Sequence, residues 1–194
     1  MSHQPGTAAI IAGGHARRYD GRDKSRLIVE GRPIIVRQVE VLQRVADTIV
    51  VIASDADRFA DLGLPVHGDR IAGKGAMGGV YTALEVADTD RVYVVACDLP
   101  FLDASLLHHL GDLAGGGDAA WVRTPQGAEP LLACYRRRAR EPIRAAIEAG
   151  RLKLADLASI LHVAELEGEA LARFGDATRL VANVNTPDDY ARIQ

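Results

Sequence analysis

Apolar residues in this chain fall into short unbroken runs parted by polar and glycine-rich joints, and between the runs they recur at helical spacing. Residues 7–12, 48–53 and 91–97 are almost continuously apolar, as strands covered on both faces are. Residues 64–67 predict a weaker strand, residues 119–123 and 129–135 two more, and residues 180–182 a last one. Pro33 opens a helix with Ile35, Val39 and Leu42 on one side, and Val80, Ala83, Leu84 and Ala87 mark a second. Asp103 caps a third, holding Leu106, Leu107 and Leu110. Pro142 opens a fourth that Gly150 ends, and residues 154–161 make a shorter one. Thr186 as cap, Pro187 in the first turn and the acids Asp188 and Asp189 start a C-terminal helix. This alternation predicts an α/β, Rossmann-like three-layer sandwich: a mostly parallel sheet, helices on both faces, right-handed crossovers. Residues 1–194 are read as one domain, with residues 1–6 flexible.

Charge narrows the function. The net charge of −3 gives no global attraction to nucleic acid or an anionic membrane, so any phosphate binding falls to a local cationic patch. Residues 1–6 are polar and lack a signal peptide's apolar core, and no run approaches the ~18 apolar residues of a membrane span. Cys97 and Cys134 sit in apolar runs and read as buried thiols of a reducing compartment, which places the protein in the cytoplasm.

The candidate chemistry begins where the first strand ends. Ile11-Ala12-Gly13-Gly14 leads into Arg17, Arg18, Gly21, Asp23 and Lys24. Glycines let main-chain N–H groups approach a ligand, and arginine and lysine supply a planar fork and a point charge. Strand, glycine turn, then cations describes a polyphosphate cradle; the plainer reading is an ordinary turn with exposed arginines. It is neither of two familiar cradles. Lys24-Ser25 follows Asp23 rather than the glycine of a P-loop, and Gly13 and Gly14 are adjacent, unlike the spaced glycines of a dinucleotide fingerprint. A second glycine-rich stretch, Gly73 to Gly79, is either a site of close backbone approach or a flexible connector. Asp98 ends the clearest strand, where open α/β sheets bind ligands and where a carboxylate can hold Mg²⁺ beside a phosphate; capping the next turn is its other reading. His108 and His109 are adjacent and point apart on a helix, so they are surface residues rather than a metal pair. Arg136, Arg137, Arg138 and Arg140 form a basic cluster, read as a solvated helix start or as a dock for an anionic substrate tail.

Five separated stretches resemble the molybdenum cofactor guanylyltransferase family: Ala12 to Lys24 (A-G-G-x-x-x-R-x-x-G-x-D-K), Gly75 to Gly79, Cys97-Asp98-Leu99-Pro100-Phe101, Glu129-Pro130-Leu131 with Ala133 and Tyr135, and Asn183-Val184-Asn185-Thr186-Pro187. The resemblance implies a nucleotide-diphospho-sugar-transferase-like fold. It also implies transfer of GMP from GTP to the terminal phosphate of molybdopterin, with release of pyrophosphate. By this resemblance Ile11, Ala12, Gly13, Gly14, Lys24, Asp69 and Asp98 contact the nucleotide. Arg18, Lys24 and Asp98 are the catalytic set, Asp98 holds Mg²⁺, and Asn183 and Asn185, alternating on one strand face, meet the pterin. The sequence departs from the family at Tyr19, Asp20 and Ala76, and at Ile52, where an asparagine is usual and only Ser54 stands nearby. Ala12-Gly13-Gly14 matches the guanylyl branch rather than the cytidylyl one. The expected partners are GTP and the molybdenum cofactor, with no nucleic acid or membrane, and transient contacts with other cofactor-biosynthesis proteins and molybdoenzymes. A monomer or weak oligomer is expected. Two other readings stand beside this one: a nucleotidyltransferase for another acceptor, such as a sugar phosphate or the cytidylyl form of the cofactor, and a nucleotide-binding protein without turnover.

Overall fold

The computed structural model describes residues 5–13 and 23–193. The flexible segment expected over residues 1–6 lies largely, and Gly14, Arg18, Tyr19 and Asp20 lie wholly, outside the described residues. Strand β1 (Gly6–Ile11) is an interior strand of a seven-stranded sheet. After a 3-10 turn at Lys24–Arg26, β2 (Ile28–Val29) and β3 (Arg32–Pro33) form a small antiparallel hairpin that leads into α1 (Ile34–Leu42). The chain continues through β4 (Thr48–Ile52), β5 (Val66–His67), α2 (Gly75–Val86), β6 (Arg91–Ala96) and α3 (Ala104–Leu113). The hairpin β7 (Ala119–Thr124) and β8 (Gly127–Arg136) is followed by α4 (Arg140–Glu148), β9 (Val163–Leu166), and the short helices α5 (Gly168–Ala172), α6 (Ala177–Leu180) and α7 (Pro187–Arg192).

The sheet order is β5-β4-β1-β6-β8-β7-β9, and only β8 runs against its neighbours. The mostly parallel sheet is therefore as expected. Side chains of β1 alternate between two cores. Ala8 and Ile10 face Ile35 and Leu42 of α1 and Leu106 and Leu110 of α3, whereas Ala9 and Ile11 face Val80 and Leu84 of α2 and Ile143 and Ile147 of α4. Both faces are covered, which is why the strand reads as one apolar run. The largest buried side chains keep their polar tips paired. The Trp121 indole N–H donates to Glu165 Oε1 at 3.0 Å, and the Tyr135 hydroxyl to the Pro130 carbonyl at 2.9 Å.

Four local expectations are corrected. Residues 180–182 are not a strand: Asp176 accepts from the Thr178 N–H and starts α6, so Leu180 ends a helix and the two asparagines beyond it lie in irregular chain. The edge strand is β9 instead, paired parallel to β7. Gly75 to Gly79 is no connector but the first turns of α2; a Cβ on Gly79 would lie 3.0 Å from Ile11 Cγ2, so the missing side chain lets the helix sit against β1. Pro33 precedes α1 with an extended backbone, ψ 140°, rather than forming its first turn, and Leu154–Ser159 is 3-10 rather than α-helical. The caps at Asp103 and Thr186 are present as read, Thr186 with Asp189 completing a reciprocal capping box.

Candidate functional site

A cavity of about 270 Å³ opens at the carboxyl ends of the parallel strands. Ile11 at the end of β1 and Gly13 just beyond it line the cavity, with Cys97 and Asp98 just beyond β6 and Gly75 and Gly79 at the start of α2. Asp69, Glu129 to Leu131 on β8, and Asn183 and Asn185 also line it. An open sheet places its ligand crevice at this end, and the N-terminus of α2 turns its unpaired N–H groups to the same side.

Lys24 is 7% exposed, and its ammonium donates to Asn185 Oδ1 at 2.7 Å. Its position is set from the sequence side by Asp23. That carboxylate accepts from the Ser25 N–H at 2.9 Å and the Ser25 hydroxyl at 2.7 Å, capping the turn that carries Lys24. Arg58, from the 3-10 turn after β4, grips Asp23 with two guanidinium hydrogen bonds. Burial pushes the Asp23 carboxyl up, but the hydrogen bonds from Arg58 and Ser25 outweigh it and hold the carboxyl below the ordinary 3.8. Arg58→Ala is therefore expected to leave a half-buried carboxylate without its ion partner, held by Ser25 alone among the described residues, and to cost about 1–3 kcal/mol by urea denaturation at pH 7. A depressed carboxyl contributes its stability above pH 3.8 and loses it below, so the gap between wild type and variant is expected to close under acid conditions.

The carboxylates inside the cavity behave in the opposite way. Burial raises the Asp98 carboxyl, and the Lys24 charge holds it partly down. Burial raises Glu129 too, and the neighbouring Asp98 charge adds to it. Burial also raises Asp69. Two carboxylates that repel each other at the end of a central strand, with a lysine close by, fit a divalent cation and a polyphosphate together. Among the described residues no three His, Cys, Asp or Glu side chains gather as a metal-binding group, so the phosphate would have to complete the coordination.

The expected residues divide as follows. Ile11, Gly13, Asp69, Asp98, Asn183 and Asn185 share the cavity, and Lys24 joins them through Asn185. Ala12 is buried off the wall, its N–H donated to the Ile52 carbonyl at 2.9 Å. Gly14 and Arg18 are outside the described residues. Ile52 is wholly enclosed in the core with Met77, and Ser54 is exposed and does not line the cavity, so the end of β4 brings no polar side chain to its wall. Glu129 was missed as a site residue; its signal was an acid directly before Pro130 in a stretch already singled out. Cys97 and Cys134 are buried, unpaired and pushed up to about 12 by burial, so both thiols are inert as read. The basic cluster lies at the other end of the sheet, where Arg136 pairs across from Arg91 at the start of β6. Most of it is neutralised: Arg136 bonds Asp90, Arg138 meets Asp118 at 2.9 Å and Arg140 meets Glu85 at 3.3 Å.

Residues 8–165 match the model of the MobA-like NTP transferase domain. The chain belongs to this family. It is a nucleotidyltransferase, and its MobA-like domain includes every cavity element except the C-terminal segment bearing the two asparagines. Full-length relatives extend over that segment as well. The chain is 33% identical to a protein of Chloroflexus aggregans named "probable molybdenum cofactor guanylyltransferase", over 99% of this chain and 95% of the other. It is 32% identical to a protein of the same name from Carboxydothermus hydrogenoformans, over 96% and 94% of the two chains. The crystal structure of molybdopterin-guanine dinucleotide biosynthesis protein A from Archaeoglobus fulgidus superposes with a TM-score of 0.80 at 27% identity, covering 96% of each chain. The MobA-like architecture is thus shared from end to end. No helix among the described residues is long and apolar enough to cross a membrane.

Proposed function

We propose that residues 1–194 act as one cytoplasmic nucleotidyltransferase domain that transfers GMP from GTP to the terminal phosphate of molybdopterin, releasing pyrophosphate. The observation that carries the reading is a cavity lined by the strand-end carboxylate Asp98 and by Asn185, which accepts from the buried Lys24, in a chain related over its full length to proteins named for this activity. The attacking acceptor phosphate is already an anion, so the reaction needs no strong general base. Its oxygen forms a bond to the α-phosphorus of GTP, the bond from that phosphorus to the bridging oxygen breaks, and pyrophosphate leaves with the electron pair.

The work left to the protein is to bring two polyanions together and to offset charge as it develops. Lys24 faces the phosphates as a fixed point charge, and Arg18 is assigned to the same phosphates. Gly13 and the first turn of α2 let main-chain N–H groups approach the nucleotide. Asp69 contacts the nucleotide, and Asn183 and Asn185 receive the pterin. Asp98, with Glu129 beside it, would hold Mg²⁺. When bound, that ion neutralises charge on the phosphate oxygens.

The test is pyrophosphate release from the purified protein with a molybdopterin-type acceptor, comparing GTP with CTP. Turnover with GTP alone is expected. Turnover with CTP would move the protein to the cytidylyl branch, and nucleotide binding without turnover would leave a binding protein or a different acceptor.

A further inference from the structure

The C-terminal segment makes two bonds that belong together. The Val184 N–H donates to the main-chain carbonyl of Asp98 at 3.1 Å, and the next residue, Asn185, accepts from the Lys24 ammonium at 2.7 Å. Two consecutive residues thus touch the carboxylate-bearing residue and the lysine, which belong to elements far apart in the chain. The segment is itself held rigidly. Val184 is completely buried in a small core with Leu27, Val29, Ile34 and Phe101. The Asn185 N–H donates to Asp189 Oδ2 at 3.0 Å within the capping box of α7. The Tyr190 hydroxyl donates to the Ile28 carbonyl at 2.6 Å, tying α7 to the hairpin that follows Lys24.

We infer that Asn185 is a positioning residue for Lys24: its amide oxygen holds the ammonium in register with Asp98 before any substrate arrives. This goes beyond the pterin contact proposed above and rests on the assignment of Lys24 to the nucleotide. The chemistry suits the task. A lysine side chain has four rotatable carbons and loses much freedom on being fixed. A neutral acceptor fixes it without cancelling its charge, so the full positive charge remains for phosphate. A carboxylate in the same place would fix it equally well but neutralise it.

Two readouts test the inference, and they fail separately. The first needs no nucleotide. In protein carrying ¹⁵N-labelled lysine, the Lys24 ammonium protons are expected to exchange slowly in the free wild type and rapidly in Asn185→Ala, a substitution at an exposed position. In Asn185→Asp they are expected to stay slow. Slow exchange in Asn185→Ala would overturn the inference. The second is GTP affinity by calorimetry without acceptor. Asn185→Ala is expected to weaken it about tenfold, the scale of one hydrogen bond to a charged group. In a Lys24→Ala background the same substitution is expected to change nothing. An unchanged affinity in Asn185→Ala, or an equal loss in both backgrounds, would overturn the inference: the first leaves Asn185 with an acceptor role only, the second with a structural one. If wild type prefers CTP, the base assignment fails and the cycle is read with CTP. If Lys24→Ala alone leaves affinity intact, the nucleotide role of Lys24 fails, while the exchange measurement still decides whether Asn185 positions it.

Discussion

Asp98→Asn is expected to abolish pyrophosphate release and to raise the melting temperature. The first effect, a loss of about a thousandfold or more, follows from removing the charged ligand that the proposed mechanism places beside the phosphates. The second follows from the cost of keeping that ligand ionised. Burial raises the Asp98 carboxyl above 3.8, and the charge of Asp98 in turn helps to raise Glu129. A carboxyl whose pKa rises on folding weakens the fold wherever it is ionised. The penalty is absent below the unfolded value of 3.8, sets in as the pH climbs, and is complete above the raised value. Asparagine removes it. The gain in melting temperature is therefore expected at pH 7, at about 2–4 °C per kcal/mol relieved, and is expected to vanish below pH 3.8. Paired melting curves and activity assays check both halves. A variant that is inactive and also less stable at pH 7 would show that Asp98 supports the fold instead of straining it.

Lys24→Ala is expected to lower kcat/KM by about a hundredfold or more and to move the acid limb of the pH–activity profile to higher pH. The rate loss reflects a missing cation at the phosphates. The shift reflects Asp98, whose raised pKa the lysine partly holds down; without that charge the carboxyl stays protonated over a wider range. Lys24→Arg is not expected to restore the wild-type profile. The lysine occupies a slot 7% exposed and donates there to the Asn185 amide oxygen, and a planar guanidinium needs more room and more partners. An acid limb that stays in place in Lys24→Ala would sever the proposed electrostatic link between the two residues.

What could be read in the sequence depended on how local its cause was. Strands β1 and β6 were legible because both their faces are buried, which demands an unbroken apolar run. The start of α7 was legible because Thr186, Pro187 and Asp189 act within one turn. Strand β9 was not. Glu165 interrupts its apolar pattern, and that residue is in place only because Arg123 and Trp121 reach it from the neighbouring strand. Residues 180–182 look like a strand until Asp176 is seen to cap the helix just upstream. Gly78 and Gly79 look like punctuation, yet their bareness serves the fit of α2 to its surroundings, which only the tertiary fold requires.

The site followed the same rule. Asp98 and Gly13 sit at strand ends, which a topological argument can locate. The grip of Arg58 on Asp23 and the hold of Asn185 on Lys24 join residues 35 and 161 positions apart, and no spacing pattern announces them. Glu129 fell between the two cases, visible within a motif but given no duty until the cavity showed what it faces.

That separation of 161 residues between Lys24 and Asn185 also sets an order in time. A chain emerging from the ribosome completes β9, the last strand of its sheet, at Leu166, well before Asn185 exists. Until then it has a frame without a finished catalytic end, and its lysine lacks the amide that anchors it. Contacts between distant parts of a chain form late and at a larger cost in loop closure than local ones. Lys24 is thus anchored only after every strand of the sheet has been made, because its amide partner lies beyond β9 in the chain.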